Sequence, residues 1–145
     1  MNSIELFSGT GGLALGLQQA GFDHKALFEW DKASCENIKE NIANGYPGVR
    51  DWKVYQTDVR TVNYNGYTGS IQLVAGGPPC QPFSLGGKHQ AYNDKRDMFP
   101  EAVRAVRETQ PEAFIFENVK GLLRKSFSSY FNYICLLYTS PSPRD

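Results

Sequence analysis

The sequence predicts an α/β fold: a doubly wound, mostly parallel sheet with helices on both faces. Two observations carry this expectation. Along the 145-residue chain, short apolar runs alternate with stretches whose apolar residues recur at helical spacing. The short runs are nearly continuous in apolar residues, the pattern of strands covered on both faces. A third feature agrees with them. Each run ends in a glycine-bearing or acid-bearing turn, and sheets of this class bind ligands beyond the carboxyl ends of their strands. The length leaves room for one domain with a real core and hardly for two.

The elements follow in order. Ile4–Phe7 reads as a first strand running into Ser8-Gly9-Thr10-Gly11-Gly12. Leu13, Ala14, Leu17 and Ala20 then recur at helical spacing, and Gly21 ends the helix. His24–Glu29 is a second strand, closing in Glu29-Trp30-Asp31, and Asp31 is placed to cap a helix from Lys32 to about Ile42. Gly45 and Pro47 close that helix. Tyr55–Thr57 is a weak third strand before Asp58, and Ile71–Ala75 is the fourth. Gly86–Lys95 is polar and glycine-bearing, which suggests a mobile loop. A helix is expected from Met98 to Thr109 with Met98, Ala102, Val103 and Val106 inward, ended by Pro111. Ala113–Phe116 makes a fifth, fully apolar strand, and Glu117-Asn118-Val119 at its end opens another helix towards Ile134. In sheets of this kind the first and fourth strands are commonly neighbours where the strand order reverses, which would put both of their loops in one crevice.

The fourth strand delivers the chain into Gly76-Gly77-Pro78-Pro79-Cys80-Gln81-Pro82-Phe83-Ser84. Two glycines and two prolines make a stiff elbow that cannot continue the sheet, and Cys80 follows them outside the regular structure. A thiol held at a polarised strand end is a candidate nucleophile, whereas a packed one is inert. Glu117 is the second candidate: a carboxyl at the end of a buried strand is expected to be partly desolvated, which favours its protonated form. The glycine loop lets backbone approach a ligand, and Glu29 ends the next strand about twenty positions on, the arrangement of a ribose-binding carboxylate. That pairing does not distinguish NAD from S-adenosylmethionine. Trp30 is suited to stacking on adenine, and Asp58 to accepting a hydrogen bond from its amino group. Cys35, within a helix, is expected to be a small core residue, and Cys135 is treated the same way.

Composition narrows the field. Fifteen Lys and Arg balance fifteen Asp and Glu, so the chain lacks the basic excess of a self-sufficient nucleic-acid binder. Three scattered cysteines argue for a reducing compartment rather than a disulfide framework. His24 and His89 are isolated, and no metal site is expected. With no long apolar span and no signal peptide, the expected location is cytoplasmic, with no membrane partner.

Taken together, these residues resemble the cytosine-5 DNA methyltransferase family. Glu5-Leu6-Phe7-Ser8-Gly9-Thr10-Gly11-Gly12 is similar to its cofactor-binding first motif, Glu29-Trp30-Asp31 to the second, and Asp58 to the Asp of the third. Gly77-Pro78-Pro79-Cys80-Gln81-Pro82-Phe83-Ser84 is similar to the catalytic motif and Glu117-Asn118-Val119-Lys120-Gly121 to the Glu-Asn-Val motif. The Pro-Cys and Glu-Asn-Val pair is the specific part of the likeness. The resemblance implies a Rossmann-like S-adenosylmethionine-dependent methyltransferase fold, here cut short after about the fifth strand. It implies methylation of carbon 5 of cytosine in double-stranded DNA, with Cys80, Glu117 and Asn118 catalytic and the target base flipped from the helix. S-adenosylmethionine would lie against Phe7, Ser8, Gly9, Gly11, Gly12, Glu29, Trp30, Asp58 and Pro79. DNA would meet Gln81, Ser84, Lys88 and Arg96, with Gly87 in the same closing loop.

Departures from the family pattern set further expectations. Residues 1–134 correspond to the amino-terminal part of the catalytic domain. Residues 135–145 match nothing in the family and read as an artefactual tail, and the later motifs and target-recognition domain are absent. The full-length enzyme is expected to be a bacterial or phage-encoded monomer, and the fragment alone to be inactive and poorly soluble, its last strand an uncovered edge. Two alternatives stand beside this reading: a transfer-RNA cytosine-5 methyltransferase, and a fragment that binds S-adenosylmethionine without catalysis.

Overall fold

A computed structural model describes residues 1–79, 97–118, 120–123, 125 and 128–139. These residues build one sheet of five parallel strands: β1 (Asn2–Leu6), β2 (Asp23–Glu29), β3 (Val54–Gln56), β4 (Leu73–Gly76) and β5 (Ala113–Phe116). The strand order is β3-β2-β1-β4-β5, so the order reverses between β1 and β4, as expected. Helix α1 (Gly12–Gln19) follows β1, and α2 (Lys32–Ala43) follows β2. Helix α3 (Phe99–Thr109) precedes β5, and α4 (Ser128–Thr139) comes last. Asp31 caps α2 by accepting the Ser34 N–H at 2.7 Å. Gly21, at φ +90°, follows the end of α1, and its N–H donates to the Gln18 carbonyl.

Side chains alternate across the sheet and fill two cores. On one face Ile4 and Leu6 of β1, Ala26 and Phe28 of β2 and Val74 of β4 pack with Val59, Tyr64 and Ala105. On the other, Leu27 packs with Ala14 of α1, Ile38 of α2, Val49 and Trp52. Each large apolar side chain buried this way contributes about 1.5–3 kcal/mol. Met98 and Val106 pack against the first core, and Ala102 and Val103 are buried, so α3 turns inward the face expected of it.

The polar residues of β1 are buried as completely as the apolar ones. Ser3 and Glu5 are both inaccessible, on the face opposite Ile4 and Leu6. His24 satisfies Ser3: its Nδ1 lies 2.9 Å from Ser3 Oγ, and its Nε2 lies 2.8 Å from the Ala14 carbonyl. A carbonyl only accepts, so Nε2 carries the proton and Nδ1 accepts from the Ser3 hydroxyl. Burial holds the His24 pKa below the usual histidine value, consistent with a neutral ring.

Two expectations are corrected. β5 is the edge of the described sheet, as expected, but its fully apolar sequence is not covered: Phe114 is 44% and Ile115 46% exposed. Its apolar sequence therefore does not report burial in this structure. Cys135 is exposed, not a core residue, whereas Cys35 is buried, as expected. The expected mobile loop at Gly86–Lys95 lies outside the described residues.

Candidate functional site

The site begins with the turn between β1 and α1. Phe7 has φ +56°, Gly9 +53° and Gly11 +88°, three left-handed residues in five positions. For Phe7 this conformation costs about 1–2 kcal/mol, so the surroundings must impose it. Gly11 is needed on two counts, because a Cβ there would also sit 3.0 Å from the Trp52 ring. Glu29, at the end of β2, holds the turn in place. Its Oε2 accepts the Gly9 N–H at 2.7 Å and its Oε1 accepts the Asp31 N–H at 2.7 Å. Ser8 is buried, and its Oγ has no hydrogen-bond partner among the described residues.

Beyond the carboxyl ends of β1 to β4 lies a cavity of about 440 Å³. Phe7, Glu29, Trp30, Asp58 and Pro79 line it, five residues from four separate stretches of the sequence. Thr57, Val59, Arg60, Gly77 and Met98 complete the wall. The Trp30 ring is 69% exposed at this rim, unusual for so large an apolar side chain. Asp58 caps the turn Val59–Thr61. The Arg60 N–H donates to its Oδ1 at 3.0 Å, and the Arg60 guanidinium grips both of its oxygens. Those bonds hold the Asp58 carboxyl below the usual carboxylate range. Ser8, Gly9, Gly11 and Gly12 shape the turn behind Phe7 rather than the cavity wall.

The elbow after β4 adjoins this cavity. Gly76 packs so closely on β1 that a Cβ would stand 2.5 Å from the Leu6 carbonyl oxygen. The Glu117 N–H donates to the Gly76 carbonyl at 2.9 Å, which ties the end of β5 to the start of the elbow. A Cβ on Gly77 would lie 3.7 Å from Glu117 Oε2, so the carboxyl stands over the elbow. Asn118 is exposed beside it. Cys80, Gln81, Ser84, Lys88 and Arg96 lie outside the described residues.

The desolvated carboxyl is not the one expected. Glu117 is exposed, at the end of a strand whose two faces are both open, and the expected burial does not hold in this structure. Glu5 is the buried acid: β1 is the central strand, so both of its faces are covered. Burial pushes the Glu5 pKa up to about 8, the neighbouring Glu117 carboxyl adds to the rise, and a hydrogen bond from the Ala14 backbone opposes it. Its Oε2 has no hydrogen-bond partner among the described residues. The signal was present in the sequence, since an acid between Ile4 and Leu6 in a strand predicted to be central has no exposed face to occupy.

This arrangement of turn, cavity and elbow can be set beside known proteins. A family model for C-5 cytosine-specific DNA methylases matches residues 1–138. The chain belongs to that family. The chain is 46% identical over 132 residues to the type II methyltransferase M.NgoMIV of Neisseria gonorrhoeae, covering 91% of this chain and 40% of that one. Among solved structures, a prophage-encoded E. coli protein described as a DNA modification methyltransferase has a TM-score of 0.71 at 33% identity, covering 96% of this chain and 38% of its own. DNMT2 of Spodoptera frugiperda shares the fold at a TM-score of 0.65 and 20% identity, covering 95% of this chain and 40% of its own. The chain thus spans about two-fifths of the length of each of these relatives. Among its described residues no helix is long and apolar enough to cross a membrane.

Proposed function

We propose that this chain carries the cofactor pocket and the reacting residues of an enzyme that methylates carbon 5 of cytosine in double-stranded DNA. The observation that carries the reading is the cavity at the strand ends, which abuts the elbow leading into Cys80 while Glu117 stands over Gly77. The residues present fit S-adenosylmethionine. The cavity has the size of a small-ligand site, an exposed indole stands at its rim, and the carboxylates of Glu29 and Asp58 line it. Glu29 and Asp58 would face the ribose and adenine, and Trp30 would stack on the base.

S-adenosylmethionine, when bound, supplies a methyl group made electrophilic by its sulfonium. Carbon 5 of cytosine is too weak a nucleophile to take it unaided. The Cys80 thiolate adds to carbon 6, and Glu117 holds a proton at ring nitrogen 3, so electron density gathers at carbon 5. After transfer, the carbon 5 proton leaves to a base, the sulfur–carbon bond breaks, and Cys80 departs as thiolate. Glu117 is exposed in this structure, so the desolvation that would favour its acid form has to come from the flipped base covering it. Asn118 would hold the strand-end geometry of Glu117. Gln81, Ser84, Lys88 and Arg96 would meet DNA around the displaced base, with the two cations near phosphates. No metal is required by this chemistry, and the full-length enzyme would act as a cytoplasmic monomer.

The test is a labelled-methyl assay on a chimera of residues 1–134 with the remaining part of M.NgoMIV. Transfer to cytosine in duplex DNA is expected, and none after Cys80→Ser. Transfer to transfer RNA in place of duplex DNA would overturn the substrate, and persistent activity in Cys80→Ser would remove the nucleophile. S-adenosylmethionine binding by the 145-residue chain without transfer would confine this piece to the binding half of the reaction.

A further inference from the structure

The cavity wall that follows β3 has little regular structure to hold it. β3 ends at Gln56 and β4 begins at Leu73, and between them the chain makes only two short turns, Val59–Thr61 and Asn65–Tyr67. A connection this long with no helix or strand of its own is uncommon in a compact domain. One side chain from another element fastens it. Arg104 of α3 donates from Nη2 to the Val59 carbonyl at 2.7 Å and from Nη1 to the Val62 carbonyl at 2.9 Å.

The guanidinium is itself held in plane. Nε donates to Glu101 Oε2 at 2.8 Å and Nη1 to Glu108 Oε1 at 3.0 Å, one helical turn to either side. Glu108 Oε2 also accepts the Tyr64 N–H at 3.0 Å, and the guanidinium lies 5.0 Å over the buried Tyr64 ring. Docking of α3 does not need this fork, because Phe99, Ala102, Val103, Ala105 and Thr109 already bury its inner face. What the fork adds is a fixed place on the helix for residues 59–62, since the donors of an arginine are rigid and directional. Val59 lines the cavity from that segment, and Met98 lines it from the head of α3. Both walls therefore hang from one helix, at a separation that one side chain sets.

Building on the proposed cofactor, we infer that Arg104, which does not line the cavity, is a positioning residue for S-adenosylmethionine. It holds the Val59 wall at the distance from Met98 that the ligand needs. A lysine in its place keeps the charge between Glu101 and Glu108 but is a single point of contact, so it cannot grip both carbonyls. The wall is then ordered only when ligand arrives, and affinity falls by the free energy of that ordering.

The experiment titrates the chain and its Arg104→Lys, Arg104→Met and Val106→Ala variants with S-adenosylhomocysteine by calorimetry, beside urea unfolding of each. Val106 packs against the core from the same helix and does not line the cavity, so its truncation costs stability without touching the fork. Arg104→Lys is expected to raise Kd about five- to tenfold with the binding stoichiometry intact, and Arg104→Met to raise it further. Val106→Ala is expected to lower the urea midpoint at least as much as Arg104→Lys and to leave Kd where it was. A purely structural role has the opposite signature: fewer competent molecules, so stoichiometry falls while Kd holds. That signature in Arg104→Lys, a wild-type Kd and stoichiometry in Arg104→Lys, or an equal rise of Kd in Val106→Ala overturns the inference. A wild-type chain that does not bind S-adenosylhomocysteine overturns the cofactor reading itself, a different result from the other three.

Discussion

Replacing Glu5 with glutamine is expected to stabilise the protein at neutral pH and to flatten its pH dependence. Glu5 is inaccessible on the central strand, and burial pushes its pKa from 4.5 to about 8. The raised value means that the folded state holds a proton that the unfolded chain gives up. The associated stability is complete below pH 4.5 and is lost as pH rises towards about 8. Within that window the slope is about −1.4 kcal/mol per pH unit, so pH 7 costs about 3 kcal/mol relative to the acid limit. Glutamine resembles the protonated acid in shape and can still accept from the Ala14 backbone. It also brings an amide nitrogen to the place where Oε2 has no partner among the described residues, at a cost of about 1–3 kcal/mol. The net gain at pH 7 is therefore about 0–2 kcal/mol, and the sharper signature is the slope. Urea midpoints at pH 5, 6, 7 and 8 measure it directly: the loss with rising pH should be present in the wild-type chain and absent in Glu5→Gln. It comes on top of the rise towards pH 6.5 that the lowered His24 pKa gives both proteins. Parallel declines in the two proteins would refute the assignment of the buried proton to Glu5.

Two further substitutions test the geometry around the site. Gly76→Ala forces a Cβ to within 2.5 Å of the Leu6 carbonyl oxygen, so β1 and β4 must part. A loss of about 2 kcal/mol or more is expected in urea unfolding, well above the cost of an ordinary surface change. Trp30→Ala removes a ring that is 69% exposed, so the melting temperature should hardly move, while S-adenosylmethionine affinity falls about tenfold if the indole stacks on the base.

Much of the sheet was legible because its strands are short, apolar and bounded by glycine, proline or acid. The neighbouring of β1 and β4 follows from the strand order common in doubly wound sheets, where the order reverses between the first and fourth strands. Asp31 announces its cap, and Glu29, Trp30 and Asp58 are marked by position at a strand end, whereas Phe7 and Pro79 come only with the family resemblance. What could not be read was environment. Phe114 and Ile115 look like core residues because apolar sequence reports what a strand is able to bury, not what covers it. The desolvation expected of Glu117 rests on the same assumption, and its exposure goes with the open faces of β5. Glu5 sits in a motif whose recognisable residues are the glycines after it, so its burial shows only once β1 is known to be central. The guanidinium of Arg60 on Asp58 was beyond reach, since a side-chain contact two residues apart leaves no periodic trace.

The bridge from Glu29 to the Gly9 N–H, with Phe7 already turned to a positive φ, has a consequence for how quickly a ligand is captured. The ordering entropy of this cradle is met while the chain folds, so an incoming molecule needs no loop rearrangement before it docks. Its arrival rate should then follow solvent viscosity, as an encounter-limited step does, and loosening the tether should slow capture before it hastens escape.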